Sequence, residues 1–377
     1  MNGVIRNKRA CLIQPIINKR EDAMEMKKNK EKKVSRRSFL KGAAASTVLV
    51  GMGVPMWSGK AKAAETLNIM MNGGDYEKLA RKLVVAPFEK KYGASVSITP
   101  GSGAQILTRL RAEKQNPSQD AVVLDSGPAV LAIAEGLLEK INPANIPNLK
   151  DLDAMALDKQ GYGPIIHSHS IGLAYNANLM KKPVPQSWMD LWNPIYKDAI
   201  LLVDITLTPG YFFLLQINLM NGGTYENIDP GIELIKKLRP NVRRFVQNMA
   251  EVRSVLHTED IIIPCGPNIP FEEAKKDNQP IYPIFPKEGN VLSPATGQVI
   301  KGTKKKDLAE KFINEYLSPE SQLGWSEEYN IANFNKKVKL PPEVAKRLPT
   351  KNTLYDFAKV AANQEKWIEK FTREIKR

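Results

Sequence analysis

The hydrophobic pattern of residues 66–125 alternates between short continuous runs and helical spacing. Short strands are predicted at Thr66–Met70 and Ser95–Thr99, and a continuous apolar strand is predicted at Ala121–Leu124. Between the first two strands, apolar side chains recur every three or four residues from Leu79 to Phe88, which predicts a helix. Strands that alternate with helices over short connections are typical of a parallel sheet with helices packed on it. This part of the chain therefore predicts an α/β fold.

A second set of elements begins near residue 170. Ile171–Tyr175 is an apolar run of strand length, and a proline-rich segment after it forces a turn. Ser187 is placed to cap a one-turn helix that carries two tryptophans. Ala199–Val203 follows as another apolar strand and ends at an aspartate. The chain is thus predicted to leave one sheet, turn, and begin a second one.

Later segments predict further strands and helices. A β-branched run at Asp260–Pro264 and an apolar run at Ile281–Phe285 predict two more strands. Helical spacing predicts a helix over Lys306–Leu317. A long amphipathic helix is predicted over Asn352–Ile375, packed along the rest of the protein.

The strong positive charge is confined to one end of the chain. The 377 residues carry a formal net charge of +15. Residues 1–63 hold 15 Lys and Arg against 4 Asp and Glu, whereas the remaining 314 residues hold 40 against 36. The basic character therefore belongs to the N-terminal segment, and the nearly balanced remainder does not indicate nucleic acid as a partner.

This N-terminal segment has the layout of an export signal. Ser35–Lys41 (SRRSFLK) resembles the twin-arginine motif, with Arg36 and Arg37 as the arginine pair. An apolar run too short to span a bilayer follows, and Ala61–Ala63 offers a small-x-small cleavage site. The alternative is a basic tail beside a chance apolar run. We expect the twin-arginine (Tat) export machinery to carry the precursor, and cleavage at this site to leave a protein without a stable membrane anchor.

The two cysteines lie on either side of the predicted cleavage site. Cys11 is in the leader and Cys265 remains after cleavage, so no internal disulfide is expected in the processed protein. Residues 1–23 do not resemble an export signal, and Met24 or Met26 would be a more usual start.

Several segments resemble one protein family closely. The chain is similar to the polyamine-type (spermidine/putrescine-binding) solute-binding proteins of bacterial ABC importers in Gly73–Val96, Ser187–Lys197 (SWMDLWNPIYK), Pro286–Val291 (PKEGNV) and Leu317–Gln322 (LSPESQ). The resemblance extends from Leu67 to about Arg347.

The resemblance implies an α/β, two-lobed type II periplasmic binding fold. Two crossovers would join the lobes, near Ser168–Leu173 and Val291–Gly297, with a ligand cleft between the lobes. The implied boundaries are a leader at 1–63, a first lobe at 64–170 that is completed by 292–335, a second lobe at 171–291, and C-terminal helices packed on the lobes at 336–377.

The resemblance also implies a function. Proteins of this family capture a small solute by closing two lobes over it, and they deliver it to the permease subunits of an ABC importer. We therefore expect a periplasmic binding protein that is not an enzyme and carries no cofactor. In agreement, the chain contains no GxSxG, Walker or HExxH motif.

The positions implied to surround the ligand depart from those of the polyamine binders. In those relatives acidic side chains hold the ammonium groups and aromatic rings enclose them. One acidic position falls here on Thr208, and a Trp-x-Asp position reads Ser293–Ala295. Cys265–Asn268 replaces the tyrosines of ferric-binding relatives. The resemblance thus indicates a solute other than spermidine, putrescine or iron, and the alternative is a spermidine/putrescine-binding protein with a rearranged pocket.

The predicted ligand-binding residues follow strand ends or open helices, where α/β sheets bind ligands. Asp125 and Asp204 end strands of opposite lobes, although each could instead cap a helix. Ser102 opens a helix at a glycine turn that suits an anion or a carbonyl oxygen, and the alternative is a plain turn in which it only caps the helix. Hydroxyl and amide groups predominate, and they favour a neutral, zwitterionic or anionic solute over a dication. The full set is Asn72, Tyr76, Ser102, Asp125, Ser126, Asp204, Thr206, Thr208, Asn268, Ser293 and Thr296.

Two histidines leave another class of function open. His167 and His169 lie on one face of an extended segment, so a Tat-exported metal-dependent enzyme is an alternative. A histidine pair without a nearby third ligand is more often structural or lines a cleft, and we assign no metal site. A binding protein that serves as the partner of a sensor is a third alternative.

Overall fold

The computed structural model describes residues 65–258 and 260–376. The predicted leader, its arginine pair and its cleavage site lie outside the described residues. Residues Ala63–Arg377 form one compact unit. In this unit a mixed sheet is covered by helices, as the α/β prediction requires.

The described residues contain eleven strands, all in one sheet. They are β1 (Thr66–Met71), β2 (Ser95–Pro100), β3 (Ala121–Asp125), β4 (Leu138–Glu139), β5 (Ile165–Asn176), β6 (Ile200–Val203), β7 (Val242–Val246), β8 (Ile263–Pro267), β9 (Ile281–Ile284), β10 (Asn290–Ile300) and β11 (Asn352–Thr353).

The helices of the described residues connect these strands. The α-helices are α1 (Asp75–Ala80), α2 (Ala86–Tyr92), α3 (Gly103–Ala112), α4 (Ser126–Ala134), α5 (Thr208–Met220), α6 (Asp229–Leu238), α7 (Met249–Thr258), α8 (Asn268–Lys276), α9 (Lys306–Tyr316), α10 (Pro319–Tyr329), α11 (Pro342–Ala345) and α12 (Phe357–Ile375). A π-helical segment, Arg81–Val85, joins α1 to α2.

Two parallel portions of the sheet are joined by an antiparallel centre. The strand order is β2-β1-β3-β10-β5-β8-β6-β7, with β4 and β11 paired to β10 and β9 paired to β5. Strands β2, β1 and β3 are parallel, as are β8, β6 and β7. We call the part of the protein around β2-β1-β3 the first lobe and the part around β8-β6-β7 the second lobe. Parallel neighbours follow from the helical crossovers that the sequence predicts.

The two predicted crossover segments pair with each other at the centre of the sheet. They belong to the longest strands, β5 with 12 residues and β10 with 11. The two strands are antiparallel, with Ile171 opposite Val291 and His169 opposite Ser293. Each therefore runs from one lobe into the other.

Two predicted elements are displaced along the sequence. The strand predicted at Asp260–Pro264 lies at Ile263–Pro267, because Ile263 pairs with Ile200 of β6 and this pairing fixes the register. As a result Cys265 lies inside β8, and α8 begins directly after this strand.

The helix predicted over Asn352–Ile375 begins only at Phe357. Asp356 caps it, since its carboxylate accepts hydrogen bonds from the backbone N–H groups of Ala358 and Lys359. The residues before the cap include β11, which pairs with β10. The C-terminal helix is thus shorter than predicted, and its N-terminus is set by an aspartate side chain.

Each lobe has its own hydrophobic core. In the first lobe Phe88, Phe312 and Trp325 are buried in one cluster. In the second lobe a cluster surrounds α5, whose residues are buried on almost all sides. A helix that is apolar all round requires such a central position. Gly210 allows α5 to approach the end of β6, because a Cβ atom there would lie 2.2 Å from the backbone oxygen of Asp204.

The C-terminal helix contacts elements of both lobes. Trp367 of α12 is 2% exposed, and its Nε1 donates a hydrogen bond to the backbone oxygen of Tyr225, 2.8 Å away. Phe371 joins the same second-lobe cluster. The helix also contacts α4 of the first lobe.

Candidate ligand-binding cleft

A cavity of about 620 Å³ opens between the two lobes. The N-termini of α3 and α4 reach it from the first lobe, and those of α5 and α8 reach it from the second. Strands β5 and β10 form its floor where they cross between the lobes. Its lining residues are Asn72, Ser102, Gly103, Asp125, His169, Ile171, Leu207, Thr208, Pro209, Pro267, Ile269, Pro270, Glu273 and Ser293.

Five of the predicted ligand-binding residues line this cavity. They come from loops and strands far apart in the sequence: Asn72, Ser102, Asp125, Thr208 and Ser293. The capping role of Ser102 is also present, because its side chain and that of Gln105 each bond to the other's backbone N–H. That these five residues contact a solute remains a prediction.

Two predicted residues have hydroxyl groups bonded to the neighbouring backbone. Ser126 donates to the carbonyl oxygen of Pro294 at 2.9 Å, and Thr296 donates to that of Leu124 at 3.1 Å. The first bond links α4 to β10, and the second links β10 to β3. These residues line a different cavity, described below, and not the cleft.

Asp204 and Thr206 also lie apart from the cleft lining. The Asp204 carboxylate is 1% exposed, forms an ion pair with Lys376 at 2.6 Å, and accepts hydrogen bonds from the backbone and hydroxyl of Thr206. Burial alone would raise the pKa of this carboxyl, but the bonds from Lys376 and Thr206 hold it below its ordinary value. The sequence could not place Asp204 here, because its partner is at the far end of the chain.

The last two predicted residues stabilise segments that border the cleft. The hydroxyl of Tyr76 lies 2.7 Å from Nε2 of His167. The side chain of Asn268 accepts from the backbone N–H of Ser170 and donates to the backbone oxygens of Tyr329 and Asn330. Asn268 therefore links α8 of the second lobe to β5 and to the end of α10.

The charged lining residues of the cleft are two carboxylates on opposite lobes. Asp125 ends β3 in the first lobe, and Glu273 lies in α8 of the second. Neither side chain has a hydrogen bond or ion pair with a described residue. Burial raises the pKa of Asp125 to about 6 and, more weakly, raises that of Glu273. Since no Lys or Arg lines the cleft, the two acids give it a negative charge near neutral pH.

His169 adds a neutral imidazole to the floor of the cleft. Its Nδ1 atom is buried and has no hydrogen-bond partner among the described residues. Burial lowers its pKa to about 4, so the ring is uncharged at neutral pH. It can therefore donate or accept one hydrogen bond toward a ligand without repelling a cation.

His167, unlike His169, does not line the cleft. It is fully buried, with its ring 4.9 Å from that of Trp325 and Nε2 engaged by Tyr76. Burial, assisted by the neighbouring His169, lowers its pKa well below the ordinary value. No group of three or more His, Cys, Asp and Glu that could hold a metal ion occurs among residues 65–258 and 260–376. The two-histidine metal alternative therefore gains no support from this geometry.

Sequence reasoning missed Glu273 as a cleft residue. With its strand predicted at Asp260–Pro264, three residues too early, the following helix was not assigned to the cleft edge. The true strand end at Pro267 puts Glu273 in the second turn of α8. Pro267, two residues after Cys265, was the available signal. A proline cannot donate a hydrogen bond to a neighbouring strand, so it marks the limit of a strand pattern.

The helix termini oppose the charge of the two carboxylates. Each N-terminus carries roughly half a positive charge and N–H groups without intrahelical partners. At the N-terminus of α3, Ser102 and Gly103 line the cleft, and at that of α5, Thr208 and Pro209 do so. The cleft thus presents carboxylates for a cation and helix N-termini for an anion.

Comparison with known proteins identifies relatives of this chain. Residues 84–350 match the family model described as bacterial extracellular solute-binding protein. Within the described part of the chain, no helix is both long and apolar enough to cross a membrane.

Two curated relatives are named for small amines. The γ-aminobutyric acid-binding protein of Pseudomonas aeruginosa is 24% identical over 319 residues, which cover 81% of this chain and 88% of that protein. The spermidine/putrescine-binding periplasmic protein 1 of Haemophilus influenzae is 27% identical over 270 residues, which cover 68% of this chain and 73% of that protein.

A solved structure has the same fold. The crystal structure of an ABC transporter from Clostridium perfringens superposes with a TM-score of 0.71 at 25% sequence identity. The match covers 82% of this chain and 99% of that one. The predicted two-lobed architecture is therefore confirmed.

Proposed function

The chain belongs to the bacterial extracellular solute-binding protein family, and from this membership we propose that it captures a small solute between its lobes and delivers it to an ABC permease. The observation that carries the proposal is the cleft of about 620 Å³, which both lobes line. A solute bound there contacts both lobes and stabilises their closed arrangement. Binding, and not catalysis, is the role that we assign, and no cofactor takes part.

The lobe boundaries belong to the same proposal. The first lobe would comprise 64–170 and 292–335, the second 171–291, and the C-terminal helices 336–377. Closure would then occur about the paired strands β5 and β10, which carry both crossovers.

The charges of the cleft indicate a solute that carries an amino group. Asp125 has no cationic partner, and Glu273 has only the longer-range attraction of Arg253 and Lys276, so removing both carboxylates from water without a further cation is costly. An ammonium group between them would supply the missing charge. The hydroxyl and amide groups alone predicted a neutral, zwitterionic or anionic solute. The two carboxylates revise this expectation, because an anion without an amine would add to the negative charge of the cleft.

The helix N-termini favour a zwitterion over a diamine. A carboxylate on the solute would meet the N–H group of Gly103 or that of Thr208, whereas a second ammonium there would be repelled. The γ-aminobutyric acid-binding relative supports this class of solute. We therefore propose a short amino acid whose amino and carboxyl groups lie at opposite ends.

Export by the twin-arginine pathway completes the proposal. The motif at Ser35–Lys41 and the cleavage site at Ala61–Ala63 support it. The curated relatives include periplasmic proteins, and that compartment is where a solute-binding protein meets its permease. We accordingly place the processed protein in the periplasm.

Three four-carbon solutes provide a matched test of the ligand class. 4-Aminobutyrate is a zwitterion, putrescine is a dication, and butyrate is an anion of similar length. Titration calorimetry on the purified protein should show 1:1 binding of 4-aminobutyrate, at least about tenfold tighter than either of the others. Tighter binding of putrescine would favour the rearranged polyamine pocket, and tighter binding of butyrate would overturn the amine assignment.

The transport role has a separate test. A strain that lacks this gene should lose uptake of the solute that binds best, and a plasmid copy should restore uptake. Unchanged uptake in the deletion strain would overturn delivery to a permease even if binding is tight.

A further inference from the structure

A second cavity lies beside α4, and we call it the lateral pocket. It has a volume of about 210 Å³ and shares no lining residue with the cleft. Its walls are α4, the segment at residues 155–165, two residues of β10, and the start of the C-terminal segment.

The walls of the lateral pocket are mainly apolar. Val130 and Ile133 of α4 line it, as do Leu354 and Phe357 of the C-terminal segment. Leu157 at the rim is 42% exposed, unusually high for a large apolar side chain. Met155, two residues earlier, also lines the pocket and is 44% exposed, so the rim carries two apolar side chains close in sequence and not a single one.

Most polar groups of the lateral pocket already have partners. The carboxylate of Asp158, its charged residue, accepts hydrogen bonds from the backbone N–H groups of Gln160, Tyr162 and Gly163. The hydroxyls of Ser126 and Thr296 donate to backbone oxygens, as described above. These groups therefore have little remaining capacity to form hydrogen bonds with a ligand.

Gln298 is the exception. It lies in β10, is 1% exposed, and lines the pocket. Its Oε1 atom is buried without a partner, and its amide group forms no hydrogen bond with a described residue. Buried amide groups normally form hydrogen bonds, and a missing hydrogen bond costs free energy. We therefore expect a hydrogen-bond partner for Gln298 in the pocket.

We propose that the lateral pocket binds a small, mostly apolar ring compound that carries one amide or hydroxyl group. A cavity of about 150 Å³ with apolar walls accepts benzene, so the lateral pocket has room for a substituted ring. The ring fills the space between α4 and the C-terminal segment. The polar substituent donates a hydrogen bond to Oε1 of Gln298.

This site is independent of the solute in the cleft, but its position connects the lobes. Phe357 packs on Phe212 of the second lobe, with ring centroids 6.0 Å apart. Tyr355 donates to Oε1 of Gln216 at 2.6 Å. A compound in the lateral pocket therefore contacts α4 of the first lobe and a segment that is anchored on the second.

Benzamide and acetophenone form a matched pair of probes. They have nearly the same shape, but benzamide has N–H donors where acetophenone has a methyl group. Titration of the full chain, followed by NMR or calorimetry, should show saturable binding of both. Benzamide should bind about fivefold more tightly, as one additional hydrogen bond predicts.

Two variants assign the binding to the lateral pocket. Gln298→Met keeps the size of the side chain but removes its acceptor, so the preference for benzamide should vanish while acetophenone still binds. Val130→Trp, at a half-buried position, fills the pocket and should abolish binding of both probes. Binding of 4-aminobutyrate in the cleft should stay within about twofold in Gln298→Met, which shows that the variant is folded.

Three results would overturn the proposal. The first is no saturable binding of either probe, which would mean that Gln298 is satisfied by water alone. The second is equal affinity for the two probes in the wild-type protein. The third is undiminished binding to folded Val130→Trp, which would place the probes elsewhere.

Discussion

Ser187 donates a hydrogen bond to Oε1 of Glu288 at 2.6 Å, across 101 residues of sequence. The same carboxylate accepts from the backbone N–H of Trp188, and Nε1 of Trp188 donates to the backbone oxygen of Gly289. The two segments that carry the family resemblance most clearly, at Ser187–Lys197 and Pro286–Val291, are therefore in direct contact. Their contact fixes the start of β10, which crosses back to the first lobe.

Replacing Glu288 should weaken this contact. Glu288→Gln keeps the shape but removes the charge and replaces one of the two acceptor oxygens with an NH2 group, so we expect the free energy of unfolding to fall by about 1–2 kcal/mol. Urea unfolding measures it. Lys287→Gln, at the exposed neighbouring position, is the control and should change stability by less than about 0.5 kcal/mol. Equal effects in the two variants would contradict the role of Glu288.

Asp125→Asn should stabilise the unliganded protein while weakening solute binding. The folded-state pKa of Asp125, about 6, lies above the ordinary 3.8. Between these two pH values the folded protein therefore holds the proton more tightly than the unfolded chain does. Wild-type stability therefore falls as the pH rises from about 4 to 6, and the loss persists at pH 7. We expect the variant to gain ~1–3 kcal/mol at pH 7 without ligand.

The binding part of this prediction uses the same variant. 4-Aminobutyrate should bind to Asp125→Asn at least about tenfold more weakly at pH 7. Below pH 6 the wild-type affinity should fall toward that of the variant, because Asp125 becomes protonated. Glu273→Gln is the counterpart on the other lobe. A destabilised Asp125→Asn protein that retains affinity would contradict both parts.

His169 should make the protein sensitive to acid. Its folded-state pKa of about 4 lies below the ordinary 6.5, so the unfolded chain takes up the proton first as the pH falls. The contribution of the neutral ring is present above pH 6.5 and is lost toward pH 4, by up to ~3 kcal/mol. In His169→Gln the fall in stability between pH 7 and 4, followed by thermal melts, should be smaller by this amount, and the part caused by His167 should remain. His257→Gln, at an exposed position, should retain the wild-type profile.

The ion pair of Lys376 with Asp204 should anchor the C-terminal helix. Lys376→Met leaves a buried carboxylate with only the two bonds from Thr206, and we expect a loss of about 1–2 kcal/mol because the lysine is partly exposed. Urea unfolding of a double-mutant cycle with Asp204→Asn measures the coupling. Lys366→Met, exposed on the same helix, is the control. A coupling energy near zero would mean that the pair does not hold the helix.

Export should depend on the arginine pair. In the export route that we propose, a receptor would read Arg36 and Arg37, and hydrophobicity alone would not suffice. Replacing both with Lys keeps the charge, yet the precursor should stay in the cytoplasm and remain unprocessed. Cell fractionation and immunoblotting measure this. Normal processing of the double variant would argue against the pathway.

The sequence by itself determined the elements and their order. Apolar periodicity placed most strands to within a few residues, and local signals placed the caps at Ser102 and Ser187. Both crossovers and the position of Asp125 at a strand end were also predicted correctly. These features depend on neighbours within a few residues, so a linear pattern contains them.

Tertiary structure decided which side chains share a site. Asp204 meets Lys376, and Tyr76 meets His167 91 residues away, so two predicted cleft residues are engaged elsewhere. Glu273 entered the cleft only because pairing with β6 fixed the register of β8. The unpaired amide of Gln298 is likewise defined by a strand, a helix and the C-terminal segment together. Such contacts depend on how distant segments pack, and no short-range pattern specifies that packing.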